Sequence, residues 1–298
     1  MQIRKIERTI RYSFVRLFLR LLAVVVYFIP LSFLRKLGVL LGKIFYKVSK
    51  YYRQLALNNL RVVFPQKNNN ERRNILYKST LFLGANTSDT LWFLVHSRRR
   101  KNLAYLENRK IIDDALKAHK GIIGITAHIG AFTILGGVLS EYGYPVNYIL
   151  RTPRDEKMAN VLGRGLRMQK VRPIFTKPAI RCVERSIEVL RNNEILIILI
   201  DQDAGSSGLF VKFFNRYTSA PAGPVILSLR TGANIIPMFI LREQERHKLI
   251  VYPEFKIAHK ENIERTIFDN TQNLVILLQD VIEQYPEQWS WIDRRWRI

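Results

Sequence analysis

The sequence predicts an α/β fold: a mixed, mainly parallel sheet flanked by helices. Three observations predict it. From about residue 120 short aliphatic runs alternate with helical stretches, the rhythm of strand–helix–strand units. The run Ile195-Leu-Ile-Ile-Leu-Ile200 places six aliphatics in a row before a turn, as in a strand covered on both faces. The 298 residues, 48% hydrophobic and 24% charged, suffice to bury a core and exclude a wholly disordered chain. Fifteen glycines without a three-residue period exclude collagen, and the single cysteine excludes a disulfide scaffold or a cysteine zinc site.

Taken in order, residues 1–65 form a basic, apolar helical segment set apart from an α/β domain over 66–298. The first segment holds 13 Lys and Arg against the single acid Glu7, a net +12 and half of the chain's +24. The uncharged stretch Leu21-Leu-Ala-Val-Val-Val-Tyr-Phe-Ile-Pro-Leu-Ser-Phe-Leu34 has 14 residues, short of the roughly 20 that cross a bilayer core. Before it, Phe14, Leu17, Phe18 and Leu21 recur at helical spacing with Arg11, Arg16 and Arg20 between them. After it, Lys36, Lys43, Lys47, Lys50 and Arg53 interleave with Leu37, Leu40, Leu41, Ile44 and Phe45. Six basic residues before the run, Pro30 within it and no small-residue cleavage site argue against a cleaved signal peptide. Two readings stay open: a short anchor that spans by snorkelling its arginines, or a helical hairpin lying in the interface. Basic flanks suit an anionic membrane surface. A nucleic-acid partner is not expected, because the most basic region is also among the most apolar, and no zinc-finger or RNP signature is present.

The polar stretch Gln66-Lys-Asn-Asn-Asn-Glu71 reads as a loop with an asparagine N-cap, followed by helices over about Glu71–Leu83 and Thr87–His96. Strands are expected at Gly121–Ala127, Val146–Leu150, Ile195–Ile200 and Ile235–Leu241, with a β-rich pair continuing to about Phe255. Helices are expected with an apolar stripe at Ile180, Val183, Ile187 and Leu190, through Pro224–Arg230, and over about Ile263–Tyr285. In such a sheet, functional groups gather where strands end at their carboxyl edge. His128 follows the first strand, Arg151 the second, and Asp201-Gln-Asp203 the aliphatic one. A neutral imidazole at that edge can take a proton from a substrate hydroxyl. His96, His119, His247 and His259 lack metal-ligand spacing, so no metal and no cofactor are expected, and Cys182 in an amphipathic helix reads as a small core residue.

The loop beginning Asp201-Gln-Asp-Ala-Gly205 continues through Gly208-Leu-Phe-Val-Lys-Phe-Phe-Asn215, Ser219-Ala-Pro-Ala-Gly-Pro224 and Thr231-Gly-Ala-Asn-Ile-Ile-Pro237. The chain closes with Pro286-Glu-Gln-Trp-Ser-Trp-Ile-Asp-Arg-Arg-Trp296. With Asn59-Leu60 and Phe64-Pro65 upstream, these motifs in this order resemble the bacterial lipid A biosynthesis (lauroyl/myristoyl, late) acyltransferases, of the lysophospholipid acyltransferase-like superfamily, over nearly the whole chain. The resemblance implies a glycerol-3-phosphate acyltransferase-like α/β domain facing the cytoplasm from an N-terminal anchor in the bacterial inner membrane. It implies transfer of a fatty acyl group from acyl carrier protein or acyl-CoA to a hydroxyl of a glycolipid. A lipid A precursor is the leading acceptor, although acylated mannosides are made by related enzymes.

In that family a His followed five positions later by Glu or Asp forms the catalytic dyad. His128 matches the first member, but Thr133 stands where the acid is expected. Thr133 leaves three readings: an active enzyme in which Asp201 or Asp203 supports His128, one with slower or altered chemistry, or a degenerate relative that binds lipid without turnover. By the same resemblance Asp201 matches a carboxylate close to the dyad; Asp203 beside it either joins the substrate-binding residues or only braces its loop. Arg151 and Arg167, with Arg164 competing for the latter role, match basic positions that bind a phosphate or the thioester oxyanion. Arg154 is a bystander candidate. Trp289, Trp291 and Trp296 with Arg294 and Arg295 either line an acyl groove, sit at the interface, or close the fold as a helix packed on the core.

Overall fold

The computed structural model describes residues 21–153 and 155–296. The amphipathic positions before residue 21, and Arg154, lie outside the described residues. Residues 21–28 are helical, and the chain breaks at Pro30 before α1 (Leu31–Val48), α2 (Lys50–Val63) and α3 (Asn69–Val95). The apolar run of the sequence is thus split, and among the described residues no helix is long and apolar enough to cross a membrane.

The expected asparagine cap is Asn68, whose side chain accepts from Asn70 N–H and Glu71 N–H while Glu71 reaches back to Asn68 N–H. The two helices expected after it are one. Gly84 falls where a break was expected, but it serves close approach: a methyl group there would lie 2.0 Å from the Gly38 carbonyl oxygen of α1. Ser88 Oγ adds a 2.8 Å bond to the Leu34 carbonyl. Beside this contact Arg35 of α1 meets the fully buried Asp89 of α3 at 2.7 Å, and Asp89 also takes Arg242 and His247 from the sheet.

The remaining elements are β1 (Ala104–Glu107), α4 (Arg109–Lys117), β2 (Ile122–Thr126), α5 (Phe132–Glu141), β3 (Val146–Leu150), α6 (Glu156–Met168), β4 (Arg172–Phe175), α7 (Ala179–Arg191), β5 (Ile195–Leu199), β6 (Leu209–Phe213), β7 (Arg216–Ala220), α8 (Gly223–Thr231), β8 (Asn234–Glu243), β9 (Arg246–Val251) and α9 (Ile263–Gln284). The seven-stranded sheet runs β1-β9-β8-β2-β5-β3-β4, with every pair parallel except β8–β9. The expected mixed, mainly parallel sheet flanked by helices is therefore present.

The aliphatic run is an interior strand of that sheet, between β2 and β3. Side chains alternate across a strand, so Leu196 and Ile198 enter one core with Leu190, Val225 and Leu278, while Ile195 and Ile197 enter the other with Ile134, Leu135 and Phe93. The stripe expected on α7 buries only at its end. Leu190 is buried, but Ile180 is 68% exposed and Val183 42%. The segment Gly208–Ala220, read as loop, contains the β6–β7 hairpin.

Candidate active site

β2 and β5 pair in parallel with Thr126 opposite Leu199, and Ile200 N–H donates to the Thr126 carbonyl at 3.1 Å. Two residues beyond that register stand His128 and Asp201, brought side by side by the sheet itself. His128 Nδ1 lies 2.8 Å from Asp201 Oδ1, and His128 backbone N–H donates to Asp201 Oδ2 at 2.9 Å. A third donor arrives from the tail: Trp289 indole N–H reaches Asp201 Oδ2 at 2.9 Å.

The tail is delivered by backbone pairing. Ile129 bridges Trp289 antiparallel, Gly130 N–H donates to the Gln288 carbonyl, and Ser290 N–H donates to the His128 carbonyl. Gly130 is required at this crossing, since its φ is +57° and a Cβ would lie 1.8 Å from the Ile240 carbonyl oxygen. Two side chains from the N-terminal helices clamp the same strip. Ser79 Oγ donates to the Trp289 carbonyl, and the Asn59 amide donates to the carbonyls of Trp291 and Asp293, both at 2.8 Å. Asn59, which the sequence presents only as part of a motif, is thus a lock on the tail.

Asp201 is ionised. Burial alone would raise its pKa, but the charge and hydrogen bonds of His128, with Trp289 and the backbone N–H, hold it below the usual carboxylate range. Burial pulls the His128 pKa down, yet Asp201 outweighs it, with help from Asp293, and the imidazole ends above its ordinary value. An acceptor-only carboxylate at Nδ1 fixes the proton there. Nε2 then carries the lone pair, and the Gln202 amide donates to it at a long 3.3 Å. The His128 side chain keeps 20% of its surface open against 2% for Asp201, so the basic nitrogen is the reachable end of the pair. The Phe132 ring closes its flank, with centroids 4.7 Å apart.

The other sequence candidates separate into two groups. Arg151, Gln202 and Asp203 line one cavity of about 290 Å³ together with Gly205, Asp293, Arg294 and Arg295. Asp203 also braces its loop, accepting from Gly205 N–H at 3.0 Å. Arg164 and Arg167 are exposed on α6, outside that cavity. Arg167 folds back along its own helix toward Gly163, and Arg164 lines an apolar cavity of about 360 Å³ with Leu22, Val26, Leu91, Leu94 and Met168. Thr133 is exposed, its hydroxyl 2.6 Å from that of Thr90, while Asp201 holds the nitrogen that an acid at position 133 was expected to serve.

Trp289 was expected to line an acyl groove, sit at the interface or close the fold, and Gln202 only to lie within the Asp201–Asp203 cluster; neither was expected to bond to the His128–Asp201 pair. The signal for Trp289 was its indole N–H, which needs a partner once the ring is buried. Trp289, Trp291 and Trp296 are all buried in the core, and the tail that carries them is irregular apart from one short turn, not a closing helix.

The description of one family model, bacterial lipid A biosynthesis acyltransferase, fits this chain over residues 2–298. The chain belongs to that family. It is an acyltransferase. It is 25% identical over 277 residues to the lipid A biosynthesis palmitoleoyltransferase of Escherichia coli (strain K12), covering 90% of this chain and 86% of that protein. It is 24% identical over 276 residues to the lipid A biosynthesis lauroyltransferase of the same organism, covering 90% and 87%. A shorter match, 29% identical over 109 residues, joins it to the phosphatidylinositol mannoside acyltransferase of Mycolicibacterium smegmatis and covers 37% of this chain and 34% of that one. The His128–Asp201 pair stands at the carboxyl edge of the sheet.

Proposed function

We propose that this acyltransferase moves a fatty acyl group from an acyl carrier protein or acyl-CoA thioester to a hydroxyl of a glycolipid, with a lipid A precursor as the leading acceptor and His128 as general base. The observation that carries the reading is His128, its Nε2 held only by a long 3.3 Å contact from Gln202 and its Nδ1 backed by a buried carboxylate with three donors. Nε2 takes the acceptor's hydroxyl proton as its oxygen attacks the thioester carbonyl. The C–S bond then breaks, and the imidazolium returns the proton to the departing thiolate. Asp201 keeps the imidazole oriented and stabilises its positive form. In this reading Arg151, which lines a cavity with Gln202, meets a substrate phosphate or the oxyanion.

Membrane association is part of the same proposal. α1 exposes Phe33, Leu37, Leu40, Leu41, Ile44 and Val48, with Lys36, Lys43 and Lys47 also exposed along it. Such a helix suits the plane of an anionic bilayer surface. The proposed setting is the bacterial inner membrane, with residues 66–298 on its cytoplasmic side and residues 1–65 as the anchoring segment.

The test is acyl transfer by the purified protein in detergent, from a long-chain acyl carrier protein to a panel of glycolipids. His128→Ala should lose at least about 10³ in rate, the scale of a general base and its oriented hydrogen bonds. Equal turnover in His128→Ala would end the general-base reading. Silence in the native protein with activity gained in Thr133→Glu would instead mark a degenerate lipid-binding relative.

A further inference from the structure

Gln288 stands where three parts of the site meet, and no step of the acyl-transfer reading uses it. β8 pairs with β2 through Asn234–Pro237, and with β9 on its other side through Met238–Glu243. Beyond Pro237 two other partners take over the β2 side of β8. Ala131 N–H donates to the Ile240 carbonyl at 3.2 Å. Two residues on, and so facing the same way, Arg242 N–H donates to Gln288 Oε1 at 2.7 Å, and the Arg242 carbonyl accepts from Gln288 Nε2 at 3.1 Å. The Gln288 side chain thus closes the strand edge as the peptide of a neighbouring strand would. The strand it clasps is itself anchored, since the Arg242 guanidinium meets Asn86 Oδ1 at 2.9 and 3.1 Å and the buried Asp89 of α3.

The backbone of Gln288 holds a second part of the site. Its carbonyl accepts from Gly130 N–H at 2.9 Å, two residues after His128. The next residue is Trp289, whose indole N–H reaches Asp201. The holds from Ser79, the His128 carbonyl and Asn59 act at or after Trp289: on its carbonyl, on Ser290 N–H, and on the carbonyls of Trp291 and Asp293. Gln288 fixes the side from which the chain enters Trp289. We propose that Gln288 is a positioning residue for the His128–Asp201 pair: its side-chain amide, clasped to Arg242, sets the place from which Trp289 donates to Asp201. The inference rests on the acyl-transfer reading for the step it serves. Without the amide, both backbone groups of Arg242 lose their partner on this edge, and the turn at Pro286–Gln288 is released from β8. The indole N–H then moves off the carboxylate that orients the imidazole, and a misplacement of about 1 Å at such a pair can cost about a hundredfold in rate. Gln288 is not among the residues lining the cavity of Arg151, Gln202 and Asp203, so its loss acts on the pair and not on that wall.

The test pairs a reading that needs no turnover with one that does. Gln288→Met keeps the length of the side chain and removes both of its hydrogen bonds to Arg242. In the full chain in detergent, labelled with nitrogen-15 at its four tryptophans, each indole N–H gives one signal, and Trp289→Phe identifies the one from Trp289. That signal should move upfield in Gln288→Met, as the hydrogen bond to Asp201 lengthens. In acyl transfer, kcat should fall by about tenfold or more while KM stays within about twofold. In a Trp289→Phe background the same substitution should cost less than about threefold in kcat, because the group it acts through is gone. A Trp289 signal unmoved in a folded Gln288→Met overturns the proposal. So does an equal loss of kcat with and without the indole, or a change confined to KM. If Gln288→Met does not fold, Gln288→Ala gives the same readings without the longer side chain. A native protein that transfers no acyl group would sink the acyl-transfer reading, and the indole signal would then decide the clasp by itself.

Discussion

Asp201→Asn is the sharpest test of the pair because it changes the charge and almost nothing of the shape. Oδ2 of Asp201 meets two N–H donors, His128 backbone and Trp289 indole, whereas Oδ1 meets only His128 Nδ1. An asparagine keeps its carbonyl oxygen where two donors need an acceptor, since an NH₂ there would face two N–H groups. Its NH₂ therefore faces Nδ1, which must now accept. The proton moves to Nε2, and the lone pair that the proposed mechanism uses to take the acceptor's proton is gone. By analogy with the same exchange in a serine protease triad, kcat should fall by about 10⁴, or about 5 kcal/mol of transition-state stabilisation. The pH profile carries a second signature. In the native enzyme kcat/KM rises with pH as Nε2 loses its proton, with an inflection above the ordinary histidine value because Asp201 outweighs burial. In Asp201→Asn burial is opposed only by the weaker pull of Asp293, and the residual activity should inflect at a lower pH than in the native enzyme. Acyl transfer followed across pH, with a thermal melt to confirm the fold, reads both. A folded Asp201→Asn within about tenfold of native kcat would refute the orientation argument, because a wrong tautomer cannot be that mild.

Two further outcomes follow from the same geometry. Trp289→Phe keeps the buried ring but deletes one of three donors to a buried carboxylate, so it should lower stability by about 1.5–3 kcal/mol and raise the Asp201 pKa. A melt unchanged by this substitution would mean that the indole N–H does not hold Asp201. Thr133→Ala loses only an exposed hydroxyl pair with Thr90 and should leave kcat within about threefold and stability within about 1 kcal/mol. A loss of about a hundredfold would return a direct role to position 133.

The legible parts of this fold are those with a strong local pattern. β3 was expected at Val146–Leu150 and lies there, and the interior strand β5 was readable because an unbroken aliphatic run is covered on both faces. The short strand β1 at one sheet edge, β4 at the other, and the β6–β7 hairpin escaped notice because their residues are mixed in polarity and only partly buried. The break expected between residues 83 and 87 failed for a different reason. Gly84 answers to Gly38 on another helix, and nothing in its neighbours along the chain says so.

By itself the sequence determined the fold class, the family, and the two residues at the carboxyl edge, because strand rhythm and motif order are properties of consecutive residues. Only the tertiary structure decided which acid serves His128. The choice fell on Asp201, 73 positions away, through the register of β2 against β5, rather than on position 133 in the helix that follows. It also decided that the tail is part of the site. Trp289 donates to Asp201 and Arg295 lines the cavity beside it because backbone pairing with Ile129 and the Asn59 lock fold the last residues back over the sheet edge. Such contacts join segments that share no local code, and they exist only once the sheet has set the distance between them.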